Sequence, residues 1–140
     1  MKKQLNKQSK SPQALLKRQI QALLREIVIK RDLTCVFQNY PESGKCGGYR
    51  KDGELILQYD HLHSRIHALS FSDSRLGICV CLRHHFYYKK QYPAEYEKIA
   101  IEVIGKDRAE LLYKVRADKK PYKINWQLEY AGLRQELNML

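Results

Sequence analysis

All four cysteines and all five histidines of this 140-residue chain fall between Cys35 and His85. Metal or acid–base chemistry, if the chain performs any, is therefore concentrated in about a third of it. Cys81-Leu-Arg-His84 has the two-residue gap that lets one turn present two ligands to a zinc ion. Cys46 is followed by Gly47 and Gly48, which suits a backbone turning tightly around a metal. Ten residues separate Cys35 from Cys46, a gap that a loop closes cheaply because closure entropy grows only logarithmically. Cys35, Cys46, Cys81 and His84 thus form a candidate Cys₃His tetrahedral site. Cys79 is the spare thiol, expected to face away from Cys81 and pack as a small apolar residue. The competing reading is four buried thiols with no metal.

A second constellation adjoins the first. Tyr59-Asp60-His61 ends an apolar strand, and His85 opens a helix 24 residues later. A carboxylate and an imidazole on a Mg²⁺-type cation, beside a further neutral imidazole, suit phosphodiester hydrolysis. The cation polarises the phosphate and the free histidine deprotonates a water. Consecutive strand residues point to opposite faces, but the twist at a strand end lets Asp60 and His61 approach one phosphate.

The elements that must position these groups follow from periodicity and punctuation. Residues 1–11 are polar and basic without period and read as a flexible arm. Ser11-Pro12 supplies a cap and a first helical residue. Leu15, Leu16, Ile20, Leu23, Leu24 and Ile27 then mark a basic amphipathic helix over 12–31. Glycines and Asp52 predict a tight turn at Lys51-Asp52-Gly53, leading into a strand over Glu54–Tyr59. His61 to Ser74 reads as a structured loop and Gly77–Cys81 as a short apolar strand. A helix opens at His84. Another opens at Pro93 and closes at Gly105, and Asp107 caps a third. Asn125 caps the last, with Leu128, Leu133 and Leu137 expected on one face. The fold class is α+β, with a core over 32–92 and a helical tail over 93–140 packed against it as one domain.

Charge points to the partner. Lys and Arg number 26 against 15 Asp and Glu, a net +11 with an isoelectric point near 9.6. Residues 1–31 carry nine basic side chains and one acid. Such a balance favours a polyanion, with nucleic acid ahead of a lipid surface. No apolar run reaches the roughly 18 residues of a membrane span, and no apolar stretch follows the basic start as in a secretory signal. A cytoplasmic protein with reduced thiols is expected. Composition argues against a membrane protein, a secreted disulfide scaffold and a coiled-coil rod.

Asp60-His61-Leu62 followed by Cys81-x-x-His84-His85 resembles the HNH endonuclease motif of the ββα-metal fold. Asp60-His-Leu-His-Ser-Arg65, Phe71-Ser-Asp73, Gly77-Ile-Cys-Val-Cys81 and Tyr92-Pro-Ala-Glu-Tyr96 with Ile104-Gly105 more narrowly resemble phage NinG-type recombination nucleases. The likeness runs from about Cys35 to Leu112. It implies His61 as general base, Asp60 and His85 as ligands of a catalytic Mg²⁺ or similar divalent cation, and a structural zinc on Cys35, Cys46, Cys81 and His84. Arg65 becomes a phosphate contact. Three features depart from the motif. Leu76 stands where the motif has its bracing asparagine, a role left to Asp73 or Ser74. The first two cysteines have ten residues between them instead of two, and His84 replaces the last cysteine. Neighbouring helical residues diverge by about 100°, which sends His84 and His85 to different sites. The expected activity is metal-dependent DNA endonuclease, with recombination or branched intermediates implied by the resemblance alone. Lys17, Arg18, Arg25, Lys89 and Lys90 are the further expected DNA contacts. A homodimer and a monomer both fit. The alternative function is a catalytically inactive, zinc-containing DNA-binding module.

Overall fold

The first helix starts where a hydroxyl can cap it. In the computed structural model, which describes residues 11–63 and 71–140, the Ser11 side chain accepts a hydrogen bond from the Ala14 amide, and Pro12 takes the first helical position. Helix α1 runs over Pro12–Asp32 and buries Ile20, Leu23, Leu24, Ile27 and Val28. Leu15 does not join this stripe and is 48% exposed. Its neighbour Leu16, about 100° further round the helix, packs inward instead. Residues 1–10 of the sequence-predicted arm over 1–11, and Arg65, lie outside the described residues.

The expected turn forms, but pairing around it is sparse. Gly53 adopts φ 88°, and Tyr49 bridges only Leu55. The regular strand β1 covers Leu57–His61, later than predicted, because its real partner is β2 (Gly77–Cys81). The two strands are antiparallel, in register from Leu57↔Cys81 to His61↔Gly77. A π-helical turn over Arg83–Tyr88 follows β2 and runs on into α2 (Lys89–Gln91).

Helix α3 spans Pro93–Ala117 with Gly105 inside it at φ 81°, ψ 175°. That conformation, open to glycine, breaks the helical path, so the predicted stop and restart appear as one kink. Asn125 caps α4 (Trp126–Asn138) through the Leu128 amide. Leu128 itself is 69% exposed, contrary to expectation. The inward stripe is the buried Leu133 with the partly buried Trp126, Tyr130 and Leu137, whose spacing of four, three and four from Trp126 onward holds one face. Leu128 falls outside that rhythm.

Apolar residues gather in two clusters. One joins Ile78 and Val80 to Cys35, Phe37, Tyr88, Tyr96, Ile99 and Leu112. The other joins α1 to α4, with Tyr59 and Phe71 against it. Arg31 and Arg108 both donate to the Gly77 carbonyl, at 2.8 and 2.9 Å, so α1 and α3 are tied to the same point of β2. The result is an α+β arrangement of helices on a two-stranded sheet. No described helix is long and apolar enough to cross a membrane.

Candidate metal centre and adjoining acid–base cleft

Three chain segments meet at His84. Cys35 precedes a short 3₁₀ turn over Val36–Asn39, Cys46 leads a glycine turn, and Cys81 ends β2. The Nδ1 of His84 lies 3.0 Å from Cys81 Sγ, 3.6 Å from Cys35 Sγ and 3.8 Å from Cys46 Sγ. All four ligand atoms lie within 4.8 Å of one another. A tetrahedral zinc needs sulfurs about 3.8 Å apart and sulfur–nitrogen separations of about 3.5 Å. The donor set and its spacing fit, so this cluster could hold a zinc ion. All four cysteines are free of disulfides.

The supporting shell was not legible in the sequence. His84 Nε2–H donates to Ser43 Oγ at 2.9 Å, and Ser43 Oγ in turn donates to the Tyr40 carbonyl at 2.7 Å. This fixes the tautomer that presents Nδ1 to the sulfurs. Phe37 stacks on the imidazole, with ring centroids 5.0 Å apart. The Arg83 guanidinium holds the knuckle by donating to the Ser43 and Lys45 carbonyls. Gly48 adopts φ +94°, and a Cβ there would meet Leu82 Cβ at 2.7 Å, so only glycine fits. The hydrogen bond with Cys35, helped by His84, outweighs burial and lowers the Cys81 thiol to about 3. Its Cys35 partner is pushed up by that same bond and by burial, and burial raises Cys46.

Cys79 is outside the cluster. Strand alternation would in fact place residues two apart on one face, so the expected separation has another cause. Cys81 is the last strand residue and its chain is already turning, whereas the Cys79 amide donates to Asp32 of α1. Burial pushes the Cys79 thiol up to about 12.

Asp60 and His85 converge next door. His85 Nε2 lies 3.4 Å from Asp60 Oδ1, close to the roughly 3 Å between adjacent ligands of a small octahedral cation. Lys89 Nζ already donates to both Asp60 oxygens, at 2.8 and 2.9 Å, and the Tyr96 hydroxyl donates to Oδ2 at 2.6 Å. Burial alone would raise the Asp60 carboxyl, but His85, Lys89 and Tyr96 outweigh it and hold it below the usual range. Burial, then the Asp60 charge, pushes the Tyr96 phenol well up, which keeps it a donor. His85 Nδ1 is buried and has no hydrogen-bond partner among the described residues.

His61 ends β1 with its ring against Tyr59, centroids 4.4 Å apart. It shares a cleft of about 650 Å³ with Asp60, His85, Phe86, Lys89 and Gln21 of α1. Adjacent strand residues on opposite faces thus reach one cavity at the strand end. Leu76, in the place of the motif asparagine, is buried, and its carbonyl accepts the Leu62 amide at 2.9 Å. A backbone bond therefore braces the residue after His61. Asp73 and Ser74 turn elsewhere, towards Arg75 and Glu136.

The expected DNA contacts divide. Arg18 and Lys90 are exposed. Lys17 Nζ lies 4.9 Å from the Trp126 ring centre, Arg25 donates to the Leu57 carbonyl, and Lys89 is engaged by Asp60. An α+β protein with a small antiparallel sheet and a Cys₃His cluster able to bind metal is the class these features define. No protein-family model, curated protein or solved structure matches the chain.

Proposed function

We propose that this protein is a metal-dependent DNA endonuclease of the ββα-metal type, with a structural zinc on Cys35, Cys46, Cys81 and His84. The observation that carries the proposal is the cleft in which Asp60, His61 and His85 meet, mounted on two strands and a helical turn that are pinned by the Cys₃His cluster. A divalent cation held by Asp60 and His85 would polarise the scissile phosphate and stabilise the leaving oxygen. His61 takes the proton from the attacking water, and the Leu76 carbonyl holds Leu62, the residue that follows it. Asp60 stays ionised because Tyr96 and His85 favour its charge. The net +11 supplies affinity for a polyanion. Branched or recombination intermediates as substrate rest on the resemblance to the NinG-type nucleases.

One observation favours the second reading, a zinc module that binds DNA without cutting it. The Lys89 ammonium occupies the carboxylate that a catalytic cation needs. Mg²⁺-dependent nicking of supercoiled plasmid separates the two. The wild type should nick, and His61→Ala should nick about 10²–10⁴-fold more slowly with its fold and DNA affinity kept. No cleavage of plasmid, linear, forked or four-way DNA with Mg²⁺ or Mn²⁺ refutes the nuclease.

A further inference from the structure

The helical turn that carries the two metal-directed histidines has an outer side whose aromatic rings have no role in the chemistry above. Arg83, Phe86, Tyr87 and Lys90 are spaced three, one and three apart and share it, while His84 and Tyr88 are buried on the inner side. Phe86 is 61% exposed and Tyr87 is 51% exposed, large apolar rings where a lone helix surface would carry polar ones. Phe86 also lines the cleft that holds Asp60, His61 and His85, and its ring leans on His85 with centroids 4.5 Å apart and planes at 31°. The Arg83 guanidinium lies 5.3 Å from the centre of the Tyr87 ring, and Lys90 is exposed on the next turn.

We infer that Phe86 is a stacking platform for an unpaired base of a single-stranded DNA segment entering the cleft, with Tyr87 continuing the platform and Lys90 meeting the backbone. The inference rests on the nuclease reading for its partner and goes further by naming the strand form that the site takes. A base in a duplex already has stacking neighbours on both sides, so an exposed ring beside the scissile position offers it little. An unpaired base exposes its π-face, and stacking on an aromatic side chain recovers that loss regardless of sequence. Basic residues around the rings match the phosphates on either side, as in other single-strand grooves. The lean against His85 holds the Phe86 ring at the cleft edge, so a base seated on it would set its own phosphate against the Asp60–His85 pair.

The test is binding, measured without divalent cations so that no DNA is cut. Full-length wild type, Phe86→Ala and Phe86→Trp are titrated with a fluorescein-labelled single strand and with a blunt duplex of equal length. A single strand carrying 2-aminopurine reports stacking directly through quenching. The wild type should prefer the single strand and quench 2-aminopurine. Phe86→Ala should lose about tenfold or more in single-strand affinity together with the quenching, with duplex affinity unchanged, and Phe86→Trp should keep both. Because Phe86 lies outside both apolar clusters, the alanine variant should melt like the wild type. Unchanged single-strand affinity and quenching in Phe86→Ala overturn the inference, as does equal loss on both DNA forms. Self-association that Phe86→Ala abolishes without changing single-strand binding also overturns it. The nuclease reading fails separately, on absent cleavage by the wild type, whatever Phe86 does.

Discussion

Removing the Ser43 hydroxyl should weaken metal binding although Ser43 touches no metal. Ser43 is 1% exposed, and its Oγ is the acceptor for His84 Nε2–H at 2.9 Å. In Ser43→Ala that N–H is left buried without its acceptor. The Tyr40 carbonyl does not share this loss, because it also accepts the Ser43 amide at 2.9 Å. One orphaned donor is therefore the whole cost, about 1–3 kcal/mol. The same range corresponds to the 10–100-fold drop in affinity typical when an outer partner of a metal-bound histidine is removed. Competition for zinc against a chromophoric chelator measures the affinity. Thermal melting of the zinc-loaded protein should fall by about 3 °C per kcal/mol for a chain of this size. Wild-type zinc affinity and melting in Ser43→Ala would refute the assigned tautomer, and with it the role of Nδ1 as the ligand atom.

Three further outcomes follow from the described geometry and the charge distribution. Asp60 has a depressed carboxyl, so its cluster contributes stability above the unfolded value near 3.9 and loses it as pH falls through the lower folded value. Melting of Asp60→Asn should accordingly decline less steeply than the wild type below about pH 4, and an identical decline would show that the cluster adds nothing. Gly48→Ala, at φ +94° and with Leu82 in the way of the new methyl, should cost about 1–3 kcal/mol and loosen zinc, both read in the same melting and chelator assays. Deleting residues 1–10 removes Lys2, Lys3, Lys7 and Lys10. It should flatten the salt dependence of DNA binding by up to about 3.6 in log–log slope, and an unchanged slope would mean these charges do not engage DNA.

What the sequence made legible was whatever depends on local spacing. The gap from Cys81 to His84, the Ser11-Pro12 and Asn125 caps and the Gly105 break each involve neighbours within one or two turns, and each has its place in the structure. The start of β1 was misplaced because alternation marks an extended chain but not its partner, and β2 pairs only from Leu57. Leucine spacing puts Leu128 on the wrong face, because Trp126 and Tyr130 set the inward stripe with Leu133 and Leu137. Ser43, Tyr96 and the capture of Asp60 by Lys89 were invisible for a different reason. They join residues 41, 36 and 29 positions apart, and nothing in a hydroxyl or an ammonium announces which distant group it will meet.

The π-helical turn over Arg83–Tyr88 makes this region respond unequally to losing and to gaining a residue. A π turn holds about one more residue per turn than an α-helix. Deleting one residue between His85 and Tyr88 would let the segment relax to ordinary helix, and because the residue removed is the extra one, the chain beyond would keep its angular phase and Lys89 would still face Asp60. Adding one residue has no such outlet. It would rotate everything beyond it by about 100° and swing Lys89 off Asp60, while His84 would stay with the sulfurs. An insertion would therefore leave the metal knuckle whole and take apart the cleft beside it, a separation of the two sites that point changes do not make.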